Sequence, residues 1–389
     1  MRPTAIKLTA AILLFCGFIP VVNAQDKLNV VTTAVPFLRI SPDARSGGMG
    51  DVGLATSADA SSGFWNVGKV AFNQSKAGIV ATYTPWLNDL VDDVYLLSVA
   101  GYIKLDDQQS INASVRYFSL GTIQFTDQNG TDITTGNPRE FGIDFGYSRK
   151  LTNKLGLGVA LKYINSDLAS GVTTSSASYK TGNAVAADLG LYCHGLNAAG
   201  DGWTWGVALT NLGSKISYTD NADMKDFIPA NLGLGTAYHK NFDASNKITI
   251  GLDVNKLMVP TPPGSASNPP TAQELADYRS KSVVGSWFSS FGDADDGFSE
   301  ELKEFQVSIG AEYWYNNQFA VRAGYFYENK DKGNRRYLTA GLGLKYNVFG
   351  LNFSYLVPSG SGVNRNPLSN TIRFSAMFDL DGGAKKAAN

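Results

Sequence analysis

The sequence predicts an all-β protein: a transmembrane antiparallel β-barrel of about 14 strands with an N-terminal plug in the lumen. Three observations predict this class. Segments of about ten residues alternate apolar and polar side chains, as tilted membrane strands do. Short and long connections alternate between these segments. The charged residues of the segments fall on the face opposite the large apolar side chains.

The N-terminus predicts export. Residues 1–24 have the parts of a secretory signal peptide, since Arg2 and Lys7 are positive, residues 8–22 are apolar and Ala24 ends a cleavage site. The mature chain would keep a single cysteine, Cys193, which excludes an intrachain disulfide. An exported chain without that crosslink needs a large core or a closed sheet.

Composition excludes two functional classes. The 389 residues carry 33 Lys and Arg against 34 Asp and Glu, whereas nucleic-acid binding usually requires a basic excess. Beyond the N-terminus, no apolar run approaches the roughly 18 residues of a membrane helix. A soluble enzyme and a β-barrel remain. Charged residues make up only 17% of the chain, below the ~25% of soluble domains.

The alternating pattern is clearest in two segments. In residues 337–346 apolar side chains alternate with Thr, Gly and Lys, and in residues 155–163 they alternate with Gly, Ala and Lys. A period of two is the signature of a strand whose two faces differ. The same pattern predicts strands at 78–86, 93–104, 109–120, 139–150, 154–165, 183–194, 203–212, 230–240, 246–256, 305–315, 318–328, 336–347, 349–357 and 370–380.

The charges of these strands share the small and polar face. They are Arg116, Asp144, Lys162, Asp188, Asp253, Glu312, Arg322, Lys345 and Arg373. Lipid outside the barrel explains this, because a Lys or Arg facing lipid at mid-membrane costs about 2–4 kcal/mol. A soluble sandwich would place its charges on the outside. We therefore expect the nine charges to lie in the lumen and to balance one another in internal networks.

The connections predict the orientation. Short turns lie near 106–107, 152–153, 196–202, 242–246, 316–317 and 347–350, and longer loops at 121–138, 166–182, 213–229, 257–304, 329–335 and 358–369. Outer-membrane barrels have short periplasmic turns and long extracellular loops. We expect the outer membrane of a Gram-negative bacterium, with both termini periplasmic. Tyrosines at the strand ends are then expected to contact outer-membrane lipids.

Residues 25–77 do not follow the strand pattern. They are rich in Gly, Ala, Ser and Asp, with a few large apolar residues. A barrel of this size has a lumen wider than its own side chains fill, so this segment is predicted to plug it. The predicted organisation is a signal peptide at 1–24, a plug at 25–77, a barrel at 78–380 and a periplasmic tail at 381–389.

Short motifs in the plug carry a resemblance to a known family. They are DARSGGMG at 43–50, DASS at 59–62 and Trp65-Asn66, with TYTPWL at 82–87 in the first strand. These residues resemble the FadL-related outer-membrane barrels, and among them most closely the PorV (LptO) family of the type IX secretion system. The resemblance implies a fourteen-stranded barrel.

The resemblance also implies a function without catalysis. Members of the family act as shuttles that receive cargo at the outer-membrane translocon. They bind the C-terminal signal domain of the cargo and deliver it to the sortase-like attachment complex. The resemblance transfers no individual cargo-binding residue. The FadL archetype implies the alternative, a transporter of hydrophobic small molecules.

Four plug residues are singled out, namely Arg45, Gly48, Trp65 and Asn66. Arg45 is expected either to pair with a lumen carboxylate, such as that of Asp144 or Asp188, or to be solvated. Trp65 is expected to anchor the plug by packing rather than to contact a ligand. Gly48 and its neighbours at 47 and 50 suit turns with positive φ. They do not form a phosphate loop, because no Lys-Ser/Thr pair follows them.

Signals for an enzyme are weak. The two histidines are His194 and His239, and Cys193 precedes the first of them. Neighbours in a strand point to opposite faces, so a thiol–imidazole pair is not expected. The acidic runs at 92–93 and 293–296 are expected to be solvated loops. No catalytic, cofactor or metal site is predicted, and no Ser/His/acid set supports the lipopolysaccharide deacylation connected with the resembled family.

The loop at 257–304 is the candidate partner-binding element. It opens with Pro260, Pro262, Pro263, Pro269 and Pro270. A helix is predicted near 272–280, followed by Trp287, Phe288 and Phe291. Aromatic side chains exposed on a loop favour a protein partner. The alternative is that they cap the barrel or pack on the plug.

Overall fold

The computed structural model describes residues 30–86, 91–127, 129–173, 178–221, 224–264, 269–294, 297–358 and 370–380. The predicted signal peptide at 1–24, residues 25–29 of the predicted plug and the predicted tail at 381–389 lie outside the described residues. Strands make up most of the part that is described, and its helices are short.

Eighteen strands occur within the described ranges. They are β1 Ala77–Pro85, β2 Val94–Lys104, β3 Gln109–Leu120, β4 Ile123–Thr126, β5 Asp132–Gly136, β6 Arg139–Lys150, β7 Leu155–Asp167, β8 Gly182–Leu196, β9 Gly202–Gly213, β10 Ile216–Ser217, β11 Lys225–Asp226, β12 Asn231–Asn241, β13 Asn246–Leu257, β14 Gln306–Tyr315, β15 Phe319–Tyr327, β16 Arg336–Tyr346, β17 Phe349–Pro358 and β18 Ile372–Leu380.

Fourteen of these strands form a closed antiparallel barrel. Their order is β1-β2-β3-β6-β7-β8-β9-β12-β13-β14-β15-β16-β17-β18, and β18 pairs with β1 through residues such as Ala81 and Ala376. β4 pairs with β5, and β10 pairs with β11, in separate two-stranded sheets. The predicted fold class is confirmed, and each predicted strand matches a barrel strand within two residues at either end.

Side chains alternate between the two faces of the wall. In β7, Leu161 is 68% exposed on the outside, whereas its neighbours Ala160 and Lys162 are buried. The hydrogen-bonded partners of β7 keep the same alternation, because antiparallel pairing places directly opposite residues on one face. Closure leaves no sheet edge in the wall, so each strand pairs on both sides.

Long and short connections alternate around the barrel. We call one rim the turn end, because the connections 105–108, 151–154, 197–201, 242–245, 316–318 and 347–348 lie there. We call the other rim the loop end. Residues 258–305, the connection from β13 to β14, are termed the long loop.

Helices occur in the N-terminal segment and in the long loop. They are α1 Ala44–Gly47, α2 Ser62–Trp65, α3 Ala272–Ser280, α4 Val283–Ser289 and α5 Phe298–Glu301, with 3₁₀ turns at Pro36–Arg39, Val67–Phe72 and Leu302–Glu304. α3 begins with a capping box between Thr271 and Glu274, which explains its start. No helix in the described ranges is long and apolar enough to cross a membrane.

Candidate functional site

Residues 30–76 contact strands from opposite sides of the barrel. The Ala44 amide donates to Ser375 Oγ of β18 at 2.9 Å, and the Gly50 amide donates to Thr339 Oγ1 of β16 at 2.8 Å. On the other side, Thr204 Oγ1 of β9 donates to the Ala55 carbonyl at 2.6 Å. The segment therefore lies inside the barrel, and we refer to residues 30–76 as the plug.

Arg45 joins the plug to the barrel wall. Its guanidinium donates from Nε and Nη2 to the two carboxylate oxygens of Glu312, at 2.9 and 2.8 Å, and from Nη1 to Asp59 at 2.7 Å. Arg322 donates to the same Glu312 at 2.7 Å. A bidentate Arg–carboxylate pair fixes both distance and direction. The lumen partner of Arg45 is Glu312 on β14, not Asp144 or Asp188 as the sequence suggested.

Asp144 and Asp188 instead share Lys162. The ammonium of Lys162 lies 3.2 Å from Asp144 and 3.0 Å from Asp188, and it donates to Asn211 Oδ1 at 2.6 Å. A bulge brings Asn211 next to Asp188. At this point β9 carries one extra residue opposite Asp188, and Asn211 has a φ of 56°. The Asn211 amide then donates to Asp188 at 2.7 Å.

The other predicted lumen charges find different partners. Arg116 donates to the Leu38 carbonyl at 2.6 Å, and Asp253 accepts from the amides of Gly53 and Leu54 at 2.7 and 2.9 Å. Lys345 pairs with Asp379 at 2.5 Å, and Arg373 is buried with Nε and Nη1 unpartnered in the described structure. All nine side chains are on the inward face, but only five of them pair with one another.

Two glycines of the plug are required for different reasons. Gly50 has a φ of 69°, and a Cβ there would lie 2.6 Å from the Tyr325 amide nitrogen. Gly48 has a φ of −75°, and a Cβ there would lie 3.0 Å from the Gly341 Cα. The prediction of positive φ is therefore wrong for Gly48 and for Gly47, which lies in α1. Glycine fits at these two positions because the plug lies close to the barrel wall.

Trp65 and Asn66 hold the plug together. Trp65 is half-buried and donates from Nε1 to Asp43 at 2.7 Å, so its role in this structure is packing and hydrogen bonding. Asn66 donates to the carbonyls of Leu54 and Leu191 at 3.1 and 3.0 Å. Its Oδ1 also accepts from the Gly68 amide at 3.0 Å, which caps the following 3₁₀ turn.

Buried ion pairs hold the base of the long loop. Lys256 lies 2.7 Å from both Glu301 and Glu304, and Lys332 lies 2.9 Å from Glu300 and 3.1 Å from Glu304. The side chains of these five residues are almost inaccessible. Lys332 lies in a loop between two strands. Burial lowers the pKa of its ammonium, but the two neighbouring carboxylates outweigh this effect and raise the pKa. The loop is therefore fixed to the barrel at its end.

The helices α4 and α5 turn small or charged residues inward and leave several apolar residues exposed. In α4, Ser286 is buried, whereas Val284 and Phe288, which share one face, are exposed. In α5, Glu300 and Glu301 are buried and Phe298 is exposed. We define the exposed apolar surface as Val284, Phe288, Phe291, Phe298 and Leu302.

The aromatic residues predicted in this loop differ in exposure. Phe288 is 76% exposed and Phe291 is 40% exposed, whereas Trp287 is half-buried. The ring of Phe291 also lies 5.3 Å from the Lys256 ammonium, so it contacts the ion-pair base. Sequence reasoning missed Phe298, which is 76% exposed, because its exposure depends on the burial of the neighbouring glutamates.

The two histidines lie on the inward face of the wall, each among different neighbours. Cys193 and His194 lie on opposite faces of β8, and His194 stacks on Phe72 inside the barrel at 5.3 Å. His239 lies between the hydroxyls of Thr204 and Thr249, at 3.0 and 3.1 Å. Across the described ranges, no group of three or more His, Cys, Asp or Glu residues is placed to hold a metal ion.

Cavities occur both inside the barrel and on its outer face. A cavity of about 120 Å³ lies above the plug at the loop end, and one of about 370 Å³ lies below it around Arg45 and His239. Apolar grooves of about 560 and 360 Å³ lie on the outside, near Phe353 and Trp203. The apolar part of the interior around Phe37 is filled by packed side chains.

A family model for the type IX secretion system protein PorV matches residues 22–264, well over half of the chain. The chain belongs to the PorV family. This membership associates it with type IX secretion, and the barrel fold places it in the outer membrane. None of the curated proteins matches the chain significantly.

Solved structures show the same fold. The Ralstonia pickettii toluene transporter TbuX superimposes with a TM-score of 0.52 at 12% identity, over 87% of this chain and 98% of that one. The CymD monoaromatic hydrocarbon channel gives 0.51 at 12% identity, over 88% and 98%. A Pseudomonas aeruginosa FadL homologue gives 0.48 at 12% identity, over 90% and 99%.

Proposed function

We propose that the chain is a non-enzymatic shuttle of the type IX secretion system. It receives cargo at the outer-membrane translocon, binds the C-terminal signal domain of the cargo and delivers it to the sortase-like attachment complex. The loop end is extracellular and both termini are periplasmic in this proposal. Family membership supports the association with secretion, and the geometry of the long loop supports a binding role.

The observation that carries the proposal is the exposed apolar surface of the long loop. A surface helix normally turns its apolar side chains inward, but Val284 and Phe288 of α4 and Phe298 of α5 are exposed. Exposed aromatic side chains on a fixed base suit a protein interface, since anchors that are already ordered lose little entropy on binding. The ion pairs of Lys256 and Lys332 supply that base.

The test replaces the two most exposed anchors. Phe288→Ser and Phe298→Ser remove exposed side chains without touching the buried glutamates, so the barrel should insert normally. Each loss of a true anchor should weaken binding by about 2 kcal/mol or more, roughly thirtyfold. The measurement is the affinity of a purified cargo signal domain for the chain in lipid nanodiscs. Ile133→Ser, in the exposed hairpin β4–β5, is the matched control.

A deletion gives a second test in cells. Residues 265–292 can be replaced by a short flexible linker, which keeps Asp293 bonded to Thr261 and keeps the glutamate base. We expect lower secretion and lower recovery of translocon and cargo with the inserted protein. Normal secretion by an inserted deletion variant would contradict the role of the loop.

The alternative function is transport of hydrophobic small molecules, which the names of TbuX and CymD suggest for those proteins. Here two interior cavities of about 120 and 370 Å³ lie on either side of the plug, and Phe37 and Leu38 pack in the apolar interior. Toluene uptake by cells with and without the chain separates the two functions. If cells without the chain secreted normally but took up less toluene, the transporter function would be supported and the shuttle function contradicted.

A further inference from the structure

A groove of about 560 Å³ crosses the outer face of the barrel where β18 closes on β1. Its lining comes from six consecutive strands of the wall, β15, β16, β17, β18, β1 and β2. Neighbouring strands lie about 4.8 Å apart, so the five steps between them make the groove roughly 24 Å long. It begins beside Phe319, the first residue of β15 at the turn end, and reaches Tyr83 near the loop end of β1.

Two small residues form the floor of this groove. Ala81 of β1 and Ala376 of β18 are directly opposite each other, and both lie on the outward face of the wall. Large outward side chains surround them, including Phe353 of β17 and Phe374 of β18, whose rings lie 5.3 Å apart. The groove exists because two alanines stand among aromatic and leucine side chains on one face of the sheet.

The polar side chains behind the floor are turned into the barrel. Thr82 Oγ1 and Ser375 Oγ lie 2.7 Å apart on the inward face, and Asn352 accepts from Arg322 there at 2.9 Å. Among the outward residues that line the groove in the described chain, Tyr83 alone has a polar atom in its side chain. The groove therefore offers its occupant apolar contact along almost its whole length.

The medium beside the groove is hydrocarbon. Ala81 and Ala376 lie in the middle of their strands, and these strands cross the outer membrane. Removal from water provides no driving force in that medium, so affinity there comes from close packing. Membrane proteins that pack on one another often add hydrogen bonds between polar side chains, which this groove does not offer. An acyl chain is linear, flexible and apolar, and it matches the length and lining of the groove.

We propose that the groove is a binding site for one phospholipid acyl chain, which lies over Ala81 and Ala376. Phospholipid is the source because the groove begins at the turn end, which is periplasmic in the proposed orientation. The site rests on that orientation and on the outer-membrane location, and it does not depend on the shuttle function.

The bound chain covers a part of the wall where pairing is short. β18 pairs with β1 over residues 77–83, whereas β6 pairs with β7 over 139–150. On the inner side of the same part, the Ala44 amide at the start of α1 donates to Ser375 at 2.9 Å. The acyl chain thus packs outside the closure of the barrel, and the plug packs inside it.

Photocrosslinking tests the site on the full chain in lipid nanodiscs. The probe is a phosphatidylethanolamine with a diazirine on its acyl chain, and mass spectrometry identifies the labelled residues. Labelling of the groove should saturate as the probe fraction rises, and unlabelled phosphatidylethanolamine should compete with it. Labelling near Val185, which is 62% exposed on the outer face of β8, should instead rise in proportion to the probe. Proportional labelling at both places would overturn the proposal, as would displacement by lipopolysaccharide but not by phosphatidylethanolamine.

A variant that fills the groove gives the matched comparison. Ala376→Phe places a ring over the floor on the lipid side, so labelling of the groove should fall about tenfold. Val185→Phe adds the same ring elsewhere on the outer face and should leave groove labelling unchanged. Both variants must retain the heat-dependent gel shift of a folded barrel. Undiminished labelling of the groove in folded Ala376→Phe would contradict the site.

The same probe in isolated outer membranes separates a lipid from a protein occupant. Labelling of the groove is expected there as in nanodiscs. If the groove were labelled in nanodiscs and protected in outer membranes, a partner protein would cover it in the cell, and the assignment to a phospholipid would be wrong.

Discussion

At the scale of single residues, Glu312 links the plug to the barrel wall. It accepts hydrogen bonds from Arg45 of the plug and from Arg322 of the wall, so three charged groups share one buried site. Burying charges is costly, and only the close pairing makes this arrangement acceptable. The glutamate thus joins two parts of the chain that are distant in sequence.

We predict that Glu312→Gln destabilises the protein by about 3–5 kcal/mol, because buried Arg322 loses this carboxylate and Arg45 keeps only that of Asp59. The measurement is urea unfolding in lipid vesicles, followed by tryptophan fluorescence. Lys345→Gln is the control, because its side chain is 38% exposed and its loss should cost less than about 1 kcal/mol. Equal stability of the two variants would show that Glu312 is not the link.

A second prediction concerns Gly50. Gly50→Ala should destabilise the plug by at least about 1–2 kcal/mol, the cost of a left-handed residue with a side chain. The clash with the Tyr325 backbone adds to this cost. The same unfolding measurement applies. Gly292→Ala, which has nothing within 4 Å of its added Cβ, should leave stability unchanged.

At the scale of elements, the long loop is held both by buried ion pairs and by an apolar cluster, in which Val259, Tyr278 and Val283 pack with Phe227. Glu304 is central, since it contacts Lys256 and Lys332 and accepts from Thr261 at 3.2 Å. Val283 of α4 belongs to the apolar cluster, whereas Val284, Phe288 and Phe298 are exposed and do not anchor the loop. This arrangement leaves them free for a partner.

We predict that Glu304→Gln loosens the long loop but not the barrel, because the two lysines lose a shared carboxylate. Limited proteolysis should show faster cleavage within 258–305 in this variant, with the rest of the barrel still protected. Glu274→Gln, which alters only the exposed capping box of α3, serves as the comparison. Unchanged cleavage in Glu304→Gln would mean that other contacts hold the loop.

At the scale of the whole molecule, closure of the barrel fixes which face of every strand meets lipid. A shift of one residue in one strand would turn its charged side chains outward. The large outward residues and the buried inward charges of the structure follow one register throughout, as β7 shows with Leu161 and Lys162.

Cysteine labelling measures this register. In a Cys193→Ser background, Leu161→Cys should react with a lipid-soluble maleimide, and Ala160→Cys should not, because it points inward and is buried. The native Cys193 must be replaced first, since it lies on the outward face and is partly accessible. Reaction at position 160 from the membrane phase would show that the register differs by one residue.

The fold could be predicted from the sequence because a membrane strand has a strict period of two. Lipid outside and a polar lumen inside impose opposite requirements on neighbouring residues, so the pattern survives in the sequence of each strand. The strand ends, to within two residues, followed from this pattern, whereas the helix Ala272–Ser280 was predicted separately from it. The plug motif added a resemblance to the PorV family, which the family match confirms.

The partners of those charges were decided only by the tertiary structure. Arg45 meets Glu312 because the plug enters the barrel at a particular height, and Asp188 meets Asn211 because of a bulge. Gly48 is small because Gly341 lies against it, not because of its own φ. The exposure of Phe298 and the groove over Ala81 and Ala376 arise in the same way. A period along one strand determines which face a residue takes, whereas its neighbour across the lumen depends on how distant segments pack.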